Sequence, residues 1–128
     1  MPRRLNVFCR NAAEAFARRA IAALGDEIHS IVLYDSVARK QAKRESDIDT
    51  LVVGTEPAMQ DKVSDIAYQG SQGSGFEAFV TLIYFSQEEF QRLVGIGSSF
   101  LAYVMDDGVI LHDDGTIRSA REQLPASR

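Results

Sequence analysis

One cysteine, Cys9, stands in a chain of 128 residues. A single thiol closes no internal disulfide, which excludes a disulfide-stapled scaffold and suits a reducing, cytoplasmic setting. Cys9 itself reads as a small helix residue rather than a nucleophile. No apolar run approaches the ~20 residues of a membrane span. The opening MPRRLNVFCR is basic, but it lacks an apolar stretch of signal-peptide length. Neither an internal repeat nor a low-complexity domain is present. An excess of positive charge is missing too. Fourteen Lys and Arg stand against 18 Asp and Glu, for a net charge of −4, so bulk attraction to a long nucleic acid is not expected. The only histidines are His29 and His112. His29 sits among apolar strand residues and reads as structural. His112-Asp113-Asp114 reads as a polar turn ahead of Gly115.

What is there is ordinary for a single core: 45% hydrophobic and 25% charged residues. Residues 1–118 are expected to form one domain, and residues 119–128, ending in LPASR, a flexible tail. Phe8, Ala12, Phe16, Ala20 and Leu24 recur every fourth residue, widened by Ala13 and Ile21, which predicts an amphipathic helix. Gly25 follows where a helix commonly ends. IHSIVLY, Ile28 to Tyr34, is a β-rich run, and so is IDTLVV, Ile48 to Val53. Pro57 suits the first turn of a helix through Tyr68. The QGSQGSG stretch from Gln69 to Gly75 reads as a flexible connector, because Gly70, Gly73 and Gly75 lack the strand-before, helix-after setting of a phosphate loop.

FEAFVTLIYF, Phe76 to Phe85, predicts a third strand, with Phe76, Phe79, Tyr84 and Phe85 in the core. Ser86-Gln87-Glu88-Glu89 is a capping-box pattern opening a helix to Val94. A short helix over Ser99 to Met105, a turn at Asp106-Asp107-Gly108 and an edge strand over Val109 to Leu111 complete the pass. The order predicts an α/β (α+β) domain: a small mixed β-sheet flanked by helices.

The chemistry concentrates between the first two strands, in LYDSVARKQAKRESDIDTLVV, Leu33 to Val53. Asp47 and Asp49 are one residue apart. On a strand, residues i and i+2 share a face, roughly 6–7 Å apart. Leu51 and Val53 continue that face, which is acidic at its start and apolar beyond. Two carboxylates so placed suit a common Mg²⁺ ion or a pair of them. D-x-D is common, and a solvated turn remains the plain alternative. Ser36 follows the first strand, where a hydroxyl and free N–H groups can hold phosphate. Arg39, Lys40, Lys43 and Arg44 put positive charge beside it; taken alone, such a run also fits a solvated face. Triphosphate oxygens want cations on one side and a carboxylate-held metal on the other.

Together, Asp35-Ser36-Val37-Ala38-Arg39-Lys40 and Ser46-Asp47-Ile48-Asp49 resemble the signature of the minimal nucleotidyltransferases (MNT) of the DNA polymerase beta superfamily, HEPN/MNT-type. That signature is a strand, Gly-Ser, a short helix often reading Ala-Arg-Gly, then Ser-Asp-Ile-Asp on the next strand. The resemblance implies a nucleotidyltransferase (polymerase beta-like) fold. It implies Mg²⁺ at Asp47 and Asp49, which are then both metal ligands and catalytic residues. It also implies an NTP, ATP first among them, bound through Ser36, Arg39 and Lys40. The implied activity is transfer of a nucleoside monophosphate to a protein or small-molecule acceptor, with pyrophosphate leaving. The implied partner is a HEPN-domain protein, as in toxin–antitoxin pairs; self-association stays open.

Three positions depart from that signature. Asp35 replaces glycine beside the phosphate turn, and like charges ~4 Å apart at an effective dielectric of ~20 repel by about 4 kcal/mol. Thr81 falls where family members place a third acid on the later strand. Glu77 shares the face of Thr81 but lies roughly 13 Å along the strand, and Glu45 precedes the second strand. Lys40 replaces a frequent glycine and itself suits phosphate. Activity on a modified site and a catalytically silent, antitoxin-like interaction module both follow from these departures.

Overall fold

The computed structural model describes residues 2–34, 47–73 and 79–124. The predicted helix forms α1, Pro2–Leu24. Gly25 ends it at φ 56°, a left-handed conformation that glycine adopts cheaply, and a 3₁₀ turn, Gly25–Glu27, leads into β1, Ile28–Tyr34. β2 covers Asp47–Gly54, so both aspartates lie within the strand. A turn with Pro57 follows, in which Gln60 N–H donates to the Pro57 carbonyl at 3.1 Å. α2 then runs Met59–Gly73. The remaining elements are β3, Phe79–Ser86, α3, Gln87–Gly95, α4, Ser99–Asp107, β4, Val109–Asp113, and α5, Thr116–Gln123. Among the described residues no helix is long and apolar enough to cross a membrane.

Four expectations fail. Pro57 lies in the turn before α2 rather than in its first turn, and Asp106 and Asp107 are the last residues of α4 rather than part of a turn. Gln69 to Gly73 are helical rather than a flexible connector. Their glycines lower helix propensity, yet they continue a helix whose earlier turns pack into the core through Met59, Val63 and Ala67. Residues 119–123 are likewise helical rather than tail. Ile117, Ala120 and Leu124 are spaced to share one helical face, and all three are buried in the core.

The sheet runs β3-β2-β1-β4. β1 is antiparallel to both β2 and β4, and β2 is parallel to β3. Parallel neighbours need a long crossover, and α2 supplies it. β1 and β2, in the middle, are covered on both faces, which explains their nearly continuous apolar runs. One face carries Ile31, Val52 and Tyr84 against Phe16, Ala20, Met59 and Val63 of α1 and α2. The other carries Val32, Tyr34, Leu51 and Val53 against Phe90, Leu101, Val104 and Ile117 of α3, α4 and α5.

Local devices fix the ends. The Ser86 hydroxyl accepts from Glu89 N–H at 3.2 Å, as the capping-box pattern predicts, and Ser98 caps α4 through Leu101 N–H at 3.2 Å. Gly54 leaves room for Tyr84: a Cβ at this position would stand 2.9 Å from two ring carbons. The Tyr84 hydroxyl donates to the Glu56 carbonyl, tying β3 to the turn after β2. Burial pushes the Tyr84 hydroxyl pKa up, and the nearby Glu56 and Glu27 charges reinforce this.

Candidate functional site

β2 begins at Asp47, which pairs with Phe79 on β3. Asp49 stands two positions on. Its partner across the antiparallel ladder is Tyr34, the last residue of β1, and across the parallel ladder Thr81 of β3. Tyr34, Asp49 and Thr81 therefore form one row across three strands, at the end of the sheet where the chain leaves β1. Register places them on the face of Val32, Leu51 and Val53. The aspartate position is thus acidic at the rim and apolar behind, as the alternation predicted.

Asp49 is only 9% exposed. Tyr34, on one side, is 8% exposed, whereas Thr81, on the other, is exposed. Asp49 thus stands between a buried neighbour on β1 and an exposed one on β3. Tyr34 in turn meets Phe100 of α4 edge to face, with ring centroids 5.8 Å apart and planes at 84°. The Thr50 hydroxyl donates to the Thr81 carbonyl at 3.2 Å, fastening β2 to β3 at the same level.

Ser36, Arg39 and Lys40, with Asp35, lie outside the described residues, as do Glu45 and Glu77. Among the described residues no three His, Cys, Asp or Glu side chains gather into a metal-holding cluster. The carboxylate is nevertheless the donor type that Mg²⁺ takes. This ion keeps several waters and takes one or two carboxylates beside phosphate oxygens. Asp49 brings a carboxylate with little water of its own to a sheet rim, two positions after Asp47. Thr81 indeed occupies the β3 position opposite Asp49, so no carboxylate stands there.

A second polar cluster lies at the other end of β1. Asp113 takes the Ser30 hydroxyl at 2.7 Å and the N–H groups of Ile117 and Arg118 at 2.9 and 3.2 Å. Burial alone would raise its carboxyl pKa, but these donors outweigh it and hold the group below its ordinary value. Asp114 pairs with His29 Nδ1 at 2.6 Å and accepts from the Thr116 hydroxyl at 2.7 Å. It too is held low, the His29 and Thr116 bonds overcoming desolvation. Both carboxylates pin the start of α5 to β1, so the polar turn anticipated here is a tertiary clamp. Sequence reasoning passed over Tyr34 as well. Its only signal is that it ends β1 just before Asp35-Ser36; its pairing with Asp49 depends on a register that the intervening loop conceals.

A mixed sheet with an acidic strand start at its rim, backed by helices on both faces, is the arrangement that the resemblance to nucleotidyltransferases implies. The chain belongs to the nucleotidyltransferase domain family, whose model matches residues 14–106. A search of curated proteins finds no match. Among solved structures, a toxin–antitoxin complex with AMP-PNP is similar at 17% identity and a TM-score of 0.53, over 85% of this chain and 81% of that one. A structure of tri-AMPylated Shewanella oneidensis HEPN toxin in complex with MNT antitoxin is similar at 17% identity and a TM-score of 0.51, over 84% and 75%. Spectinomycin adenyltransferase AAD(9) from Enterococcus faecialis, with ATP and spectinomycin, is similar at 16% identity and a TM-score of 0.56; 95% of this chain aligns with 60% of that one. At these identities the likeness is one of fold.

Proposed function

We propose that this chain is a Mg²⁺-dependent nucleotidyltransferase that moves a nucleoside monophosphate from ATP to a hydroxyl on a protein partner of the HEPN class. The observation that carries the reading is the row Tyr34-Asp49-Thr81, which sets a buried carboxylate at the sheet rim two positions after Asp47. In this reading Asp47 and Asp49 hold Mg²⁺, which supplies charge neutralisation on the triphosphate as pyrophosphate departs. Ser36 meets the terminal phosphates, and Arg39 and Lys40 offset their charge. The acceptor oxygen bonds to the α-phosphorus in line with the α–β bridging oxygen, that bond breaks, and pyrophosphate leaves. Thr81 carries no base, so the acceptor proton passes to water. A protein acceptor is favoured by two of the similar structures, which are toxin–antitoxin complexes, one holding an AMPylated toxin. A small-molecule acceptor, as for the adenyltransferase, is the competing outcome.

The test is label transfer from α-labelled ATP to a HEPN-domain protein. Mg²⁺-dependent labelling that disappears in Asp49→Asn supports the reading. No labelling, with a complex that still silences the partner, favours a second reading. That reading is a catalytically silent, antitoxin-like module, and it draws on the pairing of Thr81 with Asp49.

A further inference from the structure

The neighbour of Asp49 on β1 is aromatic. Cross-strand partners in an antiparallel ladder have Cβ atoms about 4.5–5.5 Å apart. Tyr34 and Asp49 are such partners, share a face, and are 8% and 9% exposed. A carboxylate side chain has three staggered χ1 wells open to it before its neighbours are counted. A ring against one flank removes part of that freedom. The ring is itself held: Phe100 meets it edge-on at 5.8 Å, an arrangement worth about 0.5–1.5 kcal/mol. Phe100 lies in the first turn of α4, whose start is fixed by the Ser98 cap.

We propose that Tyr34 is a positioning residue: its ring orients the Asp49 carboxylate for the metal, and Phe100 sets the ring. The proposal rests on the reading of Asp47 and Asp49 as the metal pair. The hydroxyl of Tyr34 is not required for it; the ring is. Residues that orient a metal ligand typically change affinity about 10–100-fold when removed.

The experiment is Mn²⁺ titration of the nucleotide-free protein, read as loss of the free-ion paramagnetic signal, beside the melting temperature without metal. Tyr34→Leu should weaken Mn²⁺ binding about tenfold, and Tyr34→Phe should stay within about twofold of the wild type. Phe100→Leu should weaken it by less than Tyr34→Leu. A merely structural role would lower the metal-free melting temperature and leave Mn²⁺ affinity unchanged, which overturns the proposal. Should Tyr34→Leu fail to fold, Phe100→Leu decides: an affinity equal to the wild type is the overturning result. If the wild type takes up no Mn²⁺, the metal-pair reading falls, and the positioning role with it. If the wild type binds and Tyr34→Leu binds equally well, only the positioning role falls.

Discussion

Replacing Thr81 with aspartate would set two carboxylates side by side on neighbouring strands. The parallel register pairs Thr81 with Asp49, and paired strands lie about 4.8 Å apart. Carboxylates about 5 Å apart repel by about 3 kcal/mol at an effective dielectric of 20, and by about half that where water screens one of them. Thr81 is exposed, so Thr81→Asp should cost the metal-free protein about 2 kcal/mol. For a domain of this length that is roughly a 6–10 °C fall in melting temperature.

Asp49→Asn in the same chain should return most of the loss, giving a coupling of about 1–2 kcal/mol in a double-mutant cycle. Millimolar Mg²⁺ should raise the Thr81→Asp melting temperature more than the wild type's, because the ion binds only the folded arrangement. The assay is thermal melting of the four proteins of the cycle, with and without Mg²⁺. A coupling near zero would refute the reasoning, since it would mean that the two side chains do not face each other across β2 and β3.

Three other outcomes follow from the same coordinates. Gly54→Ala puts a Cβ within 2.9 Å of the Tyr84 ring and should lower stability by about 1–3 kcal/mol in urea unfolding; the loss should shrink in a Tyr84→Leu background. Asp113 and Asp114 have lowered pKa values in the folded state. Their contribution is therefore complete above the ordinary carboxylate pKa near 4 and is lost as pH falls through the folded values. Acid unfolding should accordingly be shallower in Asp113→Asn than in the wild type, as followed by circular dichroism between about pH 2 and 5. Asp35→Gly combined with Thr81→Asp should raise ATP affinity or turnover in the labelling assay; a fall in both would show that neither position limits the site.

Much of the fold was readable along the chain because its signals are local. The Ile28–Tyr34 run became β1 with those same ends, the Ser86 cap was visible as a four-residue pattern, and Gly25 marked the end of α1. The row of acids was readable too, since alternation on a strand needs only the next two residues. Failures came where packing overruled composition. Glycine and serine between Gln69 and Gly73 read as a linker, yet they extend a helix already anchored in the core by Met59, Val63 and Ala67. Ile117, Ala120 and Leu124 were too few to announce a helix, until the core they enter was known.

The amino-acid order by itself determined the kind of chemistry on offer: carboxylates at i and i+2, a serine turn and a cluster of cations within twenty or so residues. It also determined that Thr81 brings no carboxylate. Tertiary structure alone decided which residues surround Asp49. A strand's neighbours are set by register across loops and crossovers, and no local rule counts that register. Only there do Tyr34 and Thr81, 47 positions apart in the chain, come to flank one residue, the first from β1 and the second from β3.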